Sequence, residues 1–407
     1  MCMRRDILKK LAIIGAGASG IAAAIEATKV NPHIETTIFE RMQKPAKKIL
    51  ATGNGRCNFT NADLSLKHFY GNNDFIKSIL SSDYSDIKDF FKNLGVLSYV
   101  EDGRIYPRSQ QSSTIKDTLI KSVQNKNTTI KTECHIDKIE KFKNGFLVNR
   151  EYFDSVIICG GGKASSVHGS DGSCYCLAES LGHKVTSLYP ALCGLVISDK
   201  DLNLLKGVRA ESEAKLYSEN TLLGIESGEI QFTDKAVSGI PVMNLSHLCE
   251  NKRNLKLQLN LCPEIDEATL FNHIKQSVNK SPDIEFETVL NGIVNLKLGF
   301  AVMNRSGIKS QTKCKSVNDF QIKEAVSQLK NFEINIKSAK GFDNAQVTKG
   351  GINTNEVSPF TMMSKKAEGL FLCGEILDIH GDCGGYNLHL AFTTGRIAGN
   401  SAGKYLK

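Results

Sequence analysis

The chain has 407 residues, of which 41% are hydrophobic and 23% are charged, a composition that excludes a disordered chain and supports two or three domains. The formal net charge of +8 suits an anionic ligand, but it is spread along the chain without the basic tail that is typical of nucleic-acid binding. Twelve scattered cysteines form no CxxC pair, which predicts reduced cytoplasmic thiols and no metal site.

The N-terminal segment predicts a strand, a glycine turn, a helix and a second strand. Residues 11–14 form an apolar run typical of a buried parallel strand, residues 21–30 are rich in Ala and favour a helix, and residues 36–40 form the next strand. Basic residues before the apolar stretch 11–25 superficially resemble a signal peptide, but three glycines interrupt that stretch. We therefore predict neither export nor a membrane span.

The pattern changes at residue 189 and changes back near residue 342. The first part continues with helices at 87–94 and 112–123 and strands at 131–139, 145–149 and 155–159. The middle has strands at 191–198, 214–218, 228–233, 255–261 and 332–340, with helices at 265–278, 287–296 and 319–329. A buried strand at 370–373 and a helix at 388–398 follow. We predict one discontinuous domain (1–188 with 342–407), a β-rich or barrel insert (189–245 with 331–341) and a small helical insert (246–330).

Gly15, Gly17 and Gly20 lie between the first strand and the first helix. A helix N-terminus has unpaired N–H groups and a partial positive charge, which together hold a pyrophosphate. Gly15 permits the tight turn, Gly17 lets the phosphate approach, and Gly20 lets helix and strand pack closely. Glu40 ends the second strand, where an acid accepts hydrogen bonds from an adenosine ribose. This arrangement favours FAD or NAD over NADP, although Arg41 follows directly.

The segment 47–61 favours FAD over NAD. It combines cations, hydrogen-bond donors and glycines, as loops that wrap phosphate-bearing ligands do. FAD, being long and extended, needs such a second loop more than NAD does. Lys47, Lys48 and Arg56 either face the pyrophosphate or only solvate the surface.

The segment 374–387 supplies the other end of the predicted site. A strand leads into Gly374, and a glycine-rich turn opens a helix near Asn387. The positive end of that helix would stabilise the negative charge that develops at the N1–C2=O edge of a reduced flavin. Glu375 or Asp378 either holds the ribityl hydroxyls or caps a turn.

Four motifs together point to one family. They are KILATGNGRCNFTN at 48–61, YPAL at 189–192, QVT with GG at 346–351, and CGEILD with GDCGGYN at 373–387. They resemble the bile-acid-inducible BaiN-like flavoproteins, also called aminoacetone-oxidase-like NAD(P)/FAD-dependent oxidoreductases. The resemblance implies an α/β fold: a Rossmann-type FAD-binding domain of the two-dinucleotide-binding kind, with an inserted β-barrel domain and a small helical domain. It also implies that some members reduce steroid-like enones.

The predicted cofactor is FAD, held by both ends of the chain. The predicted FAD-binding residues are Gly15, Gly17, Ser19, Gly20, Glu40, Arg41, Lys48, Thr52, Gly53, Asn54, Gly55, Arg56, Cys57, Asn58, Gly160, Gly161, Gly374, Glu375, Asp378, Gly384, Gly385, Tyr386 and Asn387. No second GxGxxG motif occurs, so NADH or NADPH is expected to bind only transiently as electron donor.

The predicted reaction is hydride transfer through flavin N5 to or from a small organic substrate: an enone, a carbonyl compound or an amine. Reduction of an enone also needs a proton donor, for which Tyr386, Asn387 and His380 are the candidates. Alternatively, Tyr386 packs and Asn387 caps the helix. His68 is interpreted as structural or surface. Two other functions stay open: a tRNA-modifying flavoprotein, which the positive charge would suit, and an FAD-binding protein without catalysis.

Overall fold

The structure is a computed structural model that describes residues 8–407, with only the backbone of Lys200. Contacts divide the chain into two compact units. One, here called the terminal unit, holds the residues up to Tyr189 together with Gln346–Lys407; the other, the inserted unit, is Pro190–Ala345. The finer domain boundaries predicted from the sequence stay predictions. No helix within residues 8–407 has both the length and the apolar composition needed to cross a membrane.

The first part of the terminal unit alternates strands and helices. Its elements are β1 (Lys10–Ile14), α1 (Ala18–Val30), β2 (Glu35–Phe39), β3 (Thr60–Asn61), β4 (Phe69–Gly71), α2 (Asn73–Leu80), α3 (Ile87–Asn93), β5 (Ser98–Glu101), β6 (Arg104–Pro107), α4 (Ser112–Ser122), β7 (Thr128–Lys131), β8 (Ile139–Phe142), β9 (Gly145–Val148), β10 (Glu151–Phe153), β11 (Ser155–Ile158) and α5 (Ser173–Ser180).

In the middle of the chain, a series of strands comes first, a run of helices follows, and one more strand ends the region. Its elements are β12 (Tyr189–Ala191), β13 (Leu195–Ile197), β14 (Arg209–Ser218), β15 (Thr221–Thr233), β16 (Ala236–Gly239), α6 (Ile240–Leu245), β17 (Leu255–Asn260), α7 (Glu267–Lys280), α8 (Phe286–Asn291), α9 (Leu296–Arg305), α10 (Asp319–Lys330) and β18 (Phe332–Ala339).

The C-terminal part of the chain belongs to the terminal unit. It contains β19 (Val347–Lys349), β20 (Leu370–Leu372), β21 (Ile379–Gly381) and α11 (Tyr386–Tyr405).

A five-stranded parallel sheet, in the order β20-β11-β1-β2-β7, forms the centre of the terminal unit. β1 lies in the middle, where its residues 11–14 are buried by neighbours on both faces. The continuous apolar run that predicted this strand is the pattern of a parallel strand covered on both sides. Since β20 belongs to the C-terminal segment, the sheet joins the two ends of the chain.

Helices α1 and α11 pack side by side through small residues. A Cβ added to Gly395 would lie 2.3 Å from the carbonyl oxygen of Ser19, and one added to Gly399 would lie 2.0 Å from that of Ala23. Gly403 faces Ala27 in the same way. Both series ascend in steps of four residues, so the two helices run parallel with backbones in close contact.

The inserted unit contains a closed six-stranded barrel in the order β13-β16-β15-β14-β17-β18. Its strands alternate buried and more exposed residues, as in β17, where Leu255, Leu257 and Leu259 point inward. This period of two is what a filled barrel requires. The predicted fold class, a Rossmann-type domain with a barrel and helices, is confirmed.

Two predicted elements in the chain are wrong. The single strand predicted at 131–139 is two strands, because β7 ends at Lys131 and the chain turns through Glu133, whose φ is +54°. The helix predicted at 287–296 ends at Asn291. A new helix then starts where the side chain of Asn295 accepts the N–H of Lys297, an N-cap that the apolar periodicity hides.

Candidate active site

The N-terminus of α1 forms an open cradle. The N–H of Gly15 donates to the carbonyl of Phe39 at 2.8 Å, and the first helical hydrogen bond runs from Ile21 to Gly17 at 3.1 Å. The N–H groups before Ile21 therefore point out of the helix end. A Cβ on Gly17 would meet no protein atom within 4 Å, so the space over this end can take a phosphate.

Glu40 connects the end of β2 to this cradle. Its carboxylate accepts the N–H of Ala16 at 3.0 Å and that of Met42 at 2.8 Å, and the residue is buried. The charge of Glu40 is thus fixed beside the glycine turn, at the place where a ribose would lie.

Residues 52–58, the central part of the predicted second loop (47–61), turn sharply several times. Gly53, Asn54, Gly55 and Cys57 all have positive φ, between +53° and +82°. Successive N–H groups in such a curled backbone converge on one side, which makes an anion-binding concavity. At Gly55 an added Cβ would meet nothing within 4 Å, so this loop too has an open face. Thr52 and Asn58 lie at its two ends.

The cations predicted at the site have carboxylate partners. Nζ of Lys48 lies 2.7 Å from Glu375, and the Arg56 guanidinium lies 2.6 Å from Glu101 and over the ring of Tyr106. Arg41 pairs with Asp171. Neither Lys48 nor Arg56 is a freely solvated surface charge. The Lys48–Glu375 pair also ties the second loop to the C-terminal segment.

The C-terminal segment ends in a second helix N-terminus, that of α11. Gly385 caps α11 with a φ of +99°, and the first helical hydrogen bond runs from His389 to Gly385 at 2.9 Å. The side chain of Asn387 donates to the carbonyl of Gly381 at 2.7 Å and accepts its N–H at 2.9 Å. Asn387 therefore closes the loop that leads into α11. Its proposed part in catalysis stays a prediction.

The two motif-bearing loops meet. A Cβ on Gly385 would lie 2.6 Å from the carbonyl oxygen of Thr60 and 2.9 Å from that of Asn58. The amide nitrogen of Asn61 donates to the carbonyl of Gly384 at 2.9 Å. At the other end of the site, a Cβ on Gly374 would lie 2.4 Å from Oγ of Ser19. The segment 374–387 therefore contacts α1 at its first residue and contacts residues 58–61 near its end.

The register of the two helices sets the spacing of their ends. Gly395 comes nine residues after the start of α11, and Ser19 comes one residue after the start of α1. These two residues lie level with each other where the helices touch. The N-terminus of α11 thus extends about eight residues, or about 12 Å, beyond that of α1 along the helix direction. Two positive helix ends at this offset fit an extended dinucleotide, with its pyrophosphate at one and its flavin at the other.

Two further predicted residues, Gly160 and Gly161, flank the cradle. A Cβ on Gly15 would lie 2.9 Å from Cα of Gly160, so the loop after β11 touches the glycine turn. Gly161 follows with a φ of +82°. Asp378 precedes β21, and its N–H donates to the carbonyl of Ile352 at 3.0 Å.

Tyr386, His380 and Cys57 are buried. Tyr386 stacks on His68 with ring centroids 4.6 Å apart, and burial raises the pKa of its phenol to about 12. His380 stacks on Tyr70 at 5.1 Å. Burial also raises the pKa of the Cys57 thiol to about 12, which makes it a poor nucleophile.

The sequence interpretation missed a hydrogen-bonded group beside these residues. Nδ1 of His68 lies 3.0 Å from Asp382, and Nε2 lies 3.2 Å from Asp63. The hydroxyl of Tyr70 donates to the other oxygen of Asp382 at 2.8 Å. Only the position of Asp382 in the GDCGGYN motif offered a signal, because its partners lie more than 300 residues away.

Residues 9–401 match the family described as HI0933-like protein Rossmann domain. The chain belongs to this family. It is 34% identical over 405 residues to a 3-dehydro-bile acid delta(4,6)-reductase of Clostridium scindens, with 97% of this chain and 99% of that protein covered. It is 26% identical to a ribosomal RNA dihydrouridine synthase of Haemophilus influenzae, over 94% of this chain and 95% of that one. The predicted resemblance to BaiN-like flavoproteins is confirmed.

Among solved structures, the fold resembles that of a 3-ketosteroid delta1-dehydrogenase from Sterolibacterium denitrificans. The TM-score is 0.51 at 11% identity, with 97% of this chain and 99% of that chain covered. This HI0933-like protein is therefore an FAD-dependent oxidoreductase, and the open cradles at Gly17 and Gly55 fit its cofactor.

Proposed function

We propose that the enzyme reduces a carbon–carbon double bond conjugated with a ketone on a steroid-like ring, with NADH or NADPH as electron donor. The observation that carries this proposal is the full-length similarity to a reductase whose name specifies such a bond in a 3-dehydro-bile acid. The second relative supports the same bond type, since uridine becomes dihydrouridine by reduction of a double bond next to a carbonyl.

Different residues of the terminal unit would hold different parts of FAD. The N–H groups at the start of α1 and the loop 52–58 would hold the pyrophosphate, Glu40 the ribose, and the start of α11 the pyrimidine edge of the flavin. Bound FAD supplies hydride transfer at N5. The positive end of α11 would lower the energy of the anionic reduced form. Lys48 and Glu375 position the loop that joins these parts.

The experiment is an anaerobic one in two steps. The FAD-loaded enzyme is mixed with NADH or NADPH, and bleaching of the flavin absorbance is followed. A 3-oxo-4,6-diene bile acid is then added, with the saturated 3-oxo bile acid as control. We expect the diene alone to restore the absorbance and to gain two hydrogens by mass spectrometry. A reduced flavin that neither compound reoxidises would contradict the proposal.

A second candidate is reduction of uridine in RNA, which the net charge favours. Residues 190–345 carry 19 basic and 19 acidic residues, so the excess of +8 lies wholly outside them. A polyanion would bind such a surface with a strong salt dependence. Ribosomal RNA offered to the reduced enzyme, with dihydrouridine measured by mass spectrometry, separates the two candidates.

A further inference from the structure

A chain of four polar side chains leads from the surface to the loop before α11. It runs Asp63, His68, Asp382, Tyr70, and each contact in it is 3.2 Å or shorter. The exposed fraction of the side chain falls from 49% at Asp63 to 23% at His68 and 7% at Asp382. The chain therefore connects solvent with a buried carboxylate.

The position of Tyr70 is set by strand pairing. β4 pairs antiparallel with β21, which places Tyr70 opposite His380 and Phe69 opposite Gly381. Asp382 is the next residue, and the loop then enters α11 at Gly385. Tyr70 thus lies beside the turn that carries the flavin-facing helix end.

We propose that Tyr70 donates the proton that completes reduction of the substrate double bond, and that Asp382, His68 and Asp63 return a proton to it from solvent. This inference rests on the proposed function, because the proton is delivered to the α carbon of the reduced double bond. Tyr70 would be the catalytic residue; His68, Asp382 and Asp63 act through it.

Electrons and protons balance as follows. A hydride from reduced FAD, replenished by NADH or NADPH, forms a C–H bond at the β carbon, and the electron pair of the double bond moves to the carbonyl oxygen as an enolate. The O–H bond of Tyr70 breaks, and its proton forms the C–H bond at the α carbon. The proton that the phenolate takes passes through Asp382 from the Nδ1–H of His68, while Nε2 of His68 takes a proton from water beside Asp63. The neutral imidazole then returns to its Nδ1–H tautomer by exchange with water, so each turnover consumes one solvent proton.

The environment of Asp382 suits a proton carrier. Burial raises the pKa of this carboxyl above its usual 3.8, against hydrogen bonds from His68 and Tyr70 that lower it. Tyr386 of α11 also faces it, while Asp63 stands beyond His68 and Arg104 near Tyr386. Tyr386 is the weaker candidate for donor, because its ring stacks on His68 instead of hydrogen-bonding with it.

The test separates the two halves of the reaction. In Tyr70→Phe, bleaching by NADH or NADPH and the affinity for FAD should match the native enzyme, because neither needs the donor. Reoxidation by the 3-oxo-4,6-diene bile acid should slow by about 100-fold, the usual contribution of a general acid. Reoxidation by ferricyanide, which needs no proton on carbon, should not change. Tyr152→Phe, on β10, is the matched control.

Other outcomes overturn the inference. Equal slowing of all three processes, or weakened FAD binding, would assign Tyr70 a structural role. Native reoxidation by the diene in Tyr70→Phe would exclude it as donor. If the native enzyme does not reduce the diene, the proposed function fails, and the relay is then judged by a measurement that needs neither substrate nor cofactor.

That measurement is the pH dependence of unfolding of the apoprotein. A carboxyl whose pKa is higher in the folded state binds more protons there, so its contribution to stability is lost as pH rises through the folded pKa. As pH rises above about 4 and through the raised folded-state pKa of Asp382, the native protein should therefore lose melting temperature relative to Asp382→Asn. In His68→Gln the loss should move to higher pH, because the hydrogen bond that lowers the Asp382 pKa is removed. Parallel curves for all three proteins would show that Asp382 cannot carry a proton in this range, and would overturn the relay.

Discussion

The terminal and inserted units differ in net charge and in the surroundings of particular glycines. In the terminal unit, Gly399 and Gly385 are sites where an added Cβ would strike backbone, whereas at Gly307 and Gly341 of the inserted unit it would meet nothing within 4 Å. The inserted unit is electrically balanced, and the whole net charge of +8 belongs to the rest of the chain. The expectation that this charge is spread along the chain is therefore wrong.

This difference separates two kinds of constraint. The terminal unit is shaped around a charged ligand, so particular residue types are required at particular positions. The inserted unit is shaped mainly by its own core, which requires apolar side chains at the right period. Substitutions in the two units should consequently fail in different ways.

The largest expected effect is at the contact between α1 and α11. In Gly399→Ala, the new Cβ would lie 2.0 Å from the carbonyl oxygen of Ala23 and 2.7 Å from its carbonyl carbon, both of them backbone atoms. We expect a loss of about 3 kcal/mol in the free energy of unfolding by urea, because neither helix can move without losing register. Gly341→Ala, in the inserted unit, is the control and should change stability by less than about 0.5 kcal/mol. Equal effects would contradict the difference between the units.

A second substitution separates cofactor binding from folding. Gly17 has a φ of −86°, and its Cβ would face open space, so Gly17→Ala should leave stability unchanged. The methyl group would instead occupy the place of the phosphate. We expect the dissociation constant for FAD to rise by about 100-fold, or about 2.7 kcal/mol, in calorimetric titration of the apoprotein. Loss of stability with unchanged FAD affinity would reverse this interpretation.

The next effect concerns acid stability of the terminal unit. His389 is fully buried between Thr60 and Ser85, and burial lowers the pKa of its imidazole from 6.5 to about 4. The unfolded chain binds a proton in this range and the folded chain does not, so stability falls as pH falls below 6.5.

Between about pH 7 and about pH 5, the loss attributable to His389 should be about 2 kcal/mol. Urea unfolding at both pH values measures it. In His389→Gln, which stays neutral, the difference between the two pH values should shrink by that amount. An unchanged difference would show that His389 titrates as in the unfolded chain.

The smallest effect is expected in the inserted unit. Asn318 caps α10 and forms a reciprocal capping box with Gln321. Asn318→Ala should cost about 1 kcal/mol of stability, the usual value of such a cap, while the affinity for FAD stays the same. A parallel fall in FAD affinity would show that the inserted unit takes part in holding the cofactor.

The sequence predicts the parts of the site that lie close together along the chain. Gly17 and Glu40 belong to one βαβ unit, and the spacing between them is typical of dinucleotide binding. The helix start near Asn387 is likewise recognisable, since its glycines and its apolar run are adjacent.

Contacts between distant residues are beyond such reasoning. His68 has no neighbour in sequence that points to a role, and only strand pairing between β4 and β21 brings it to Asp382. The partners of Lys48 and Arg56 also depend on tertiary structure. Helix α9 escaped prediction because Asn295 restarts a helix only a few residues after the previous one ends.

The central claim is that the first and last helices of the chain hold one FAD molecule between them. A crystal structure of the FAD complex tests it most directly. We expect the pyrophosphate within hydrogen-bond distance of the N–H groups of Ala18 and Ser19, and the pyrimidine edge of the flavin at the start of α11. A flavin ring bound away from residues 384–388, with the pyrophosphate still at α1, would contradict it.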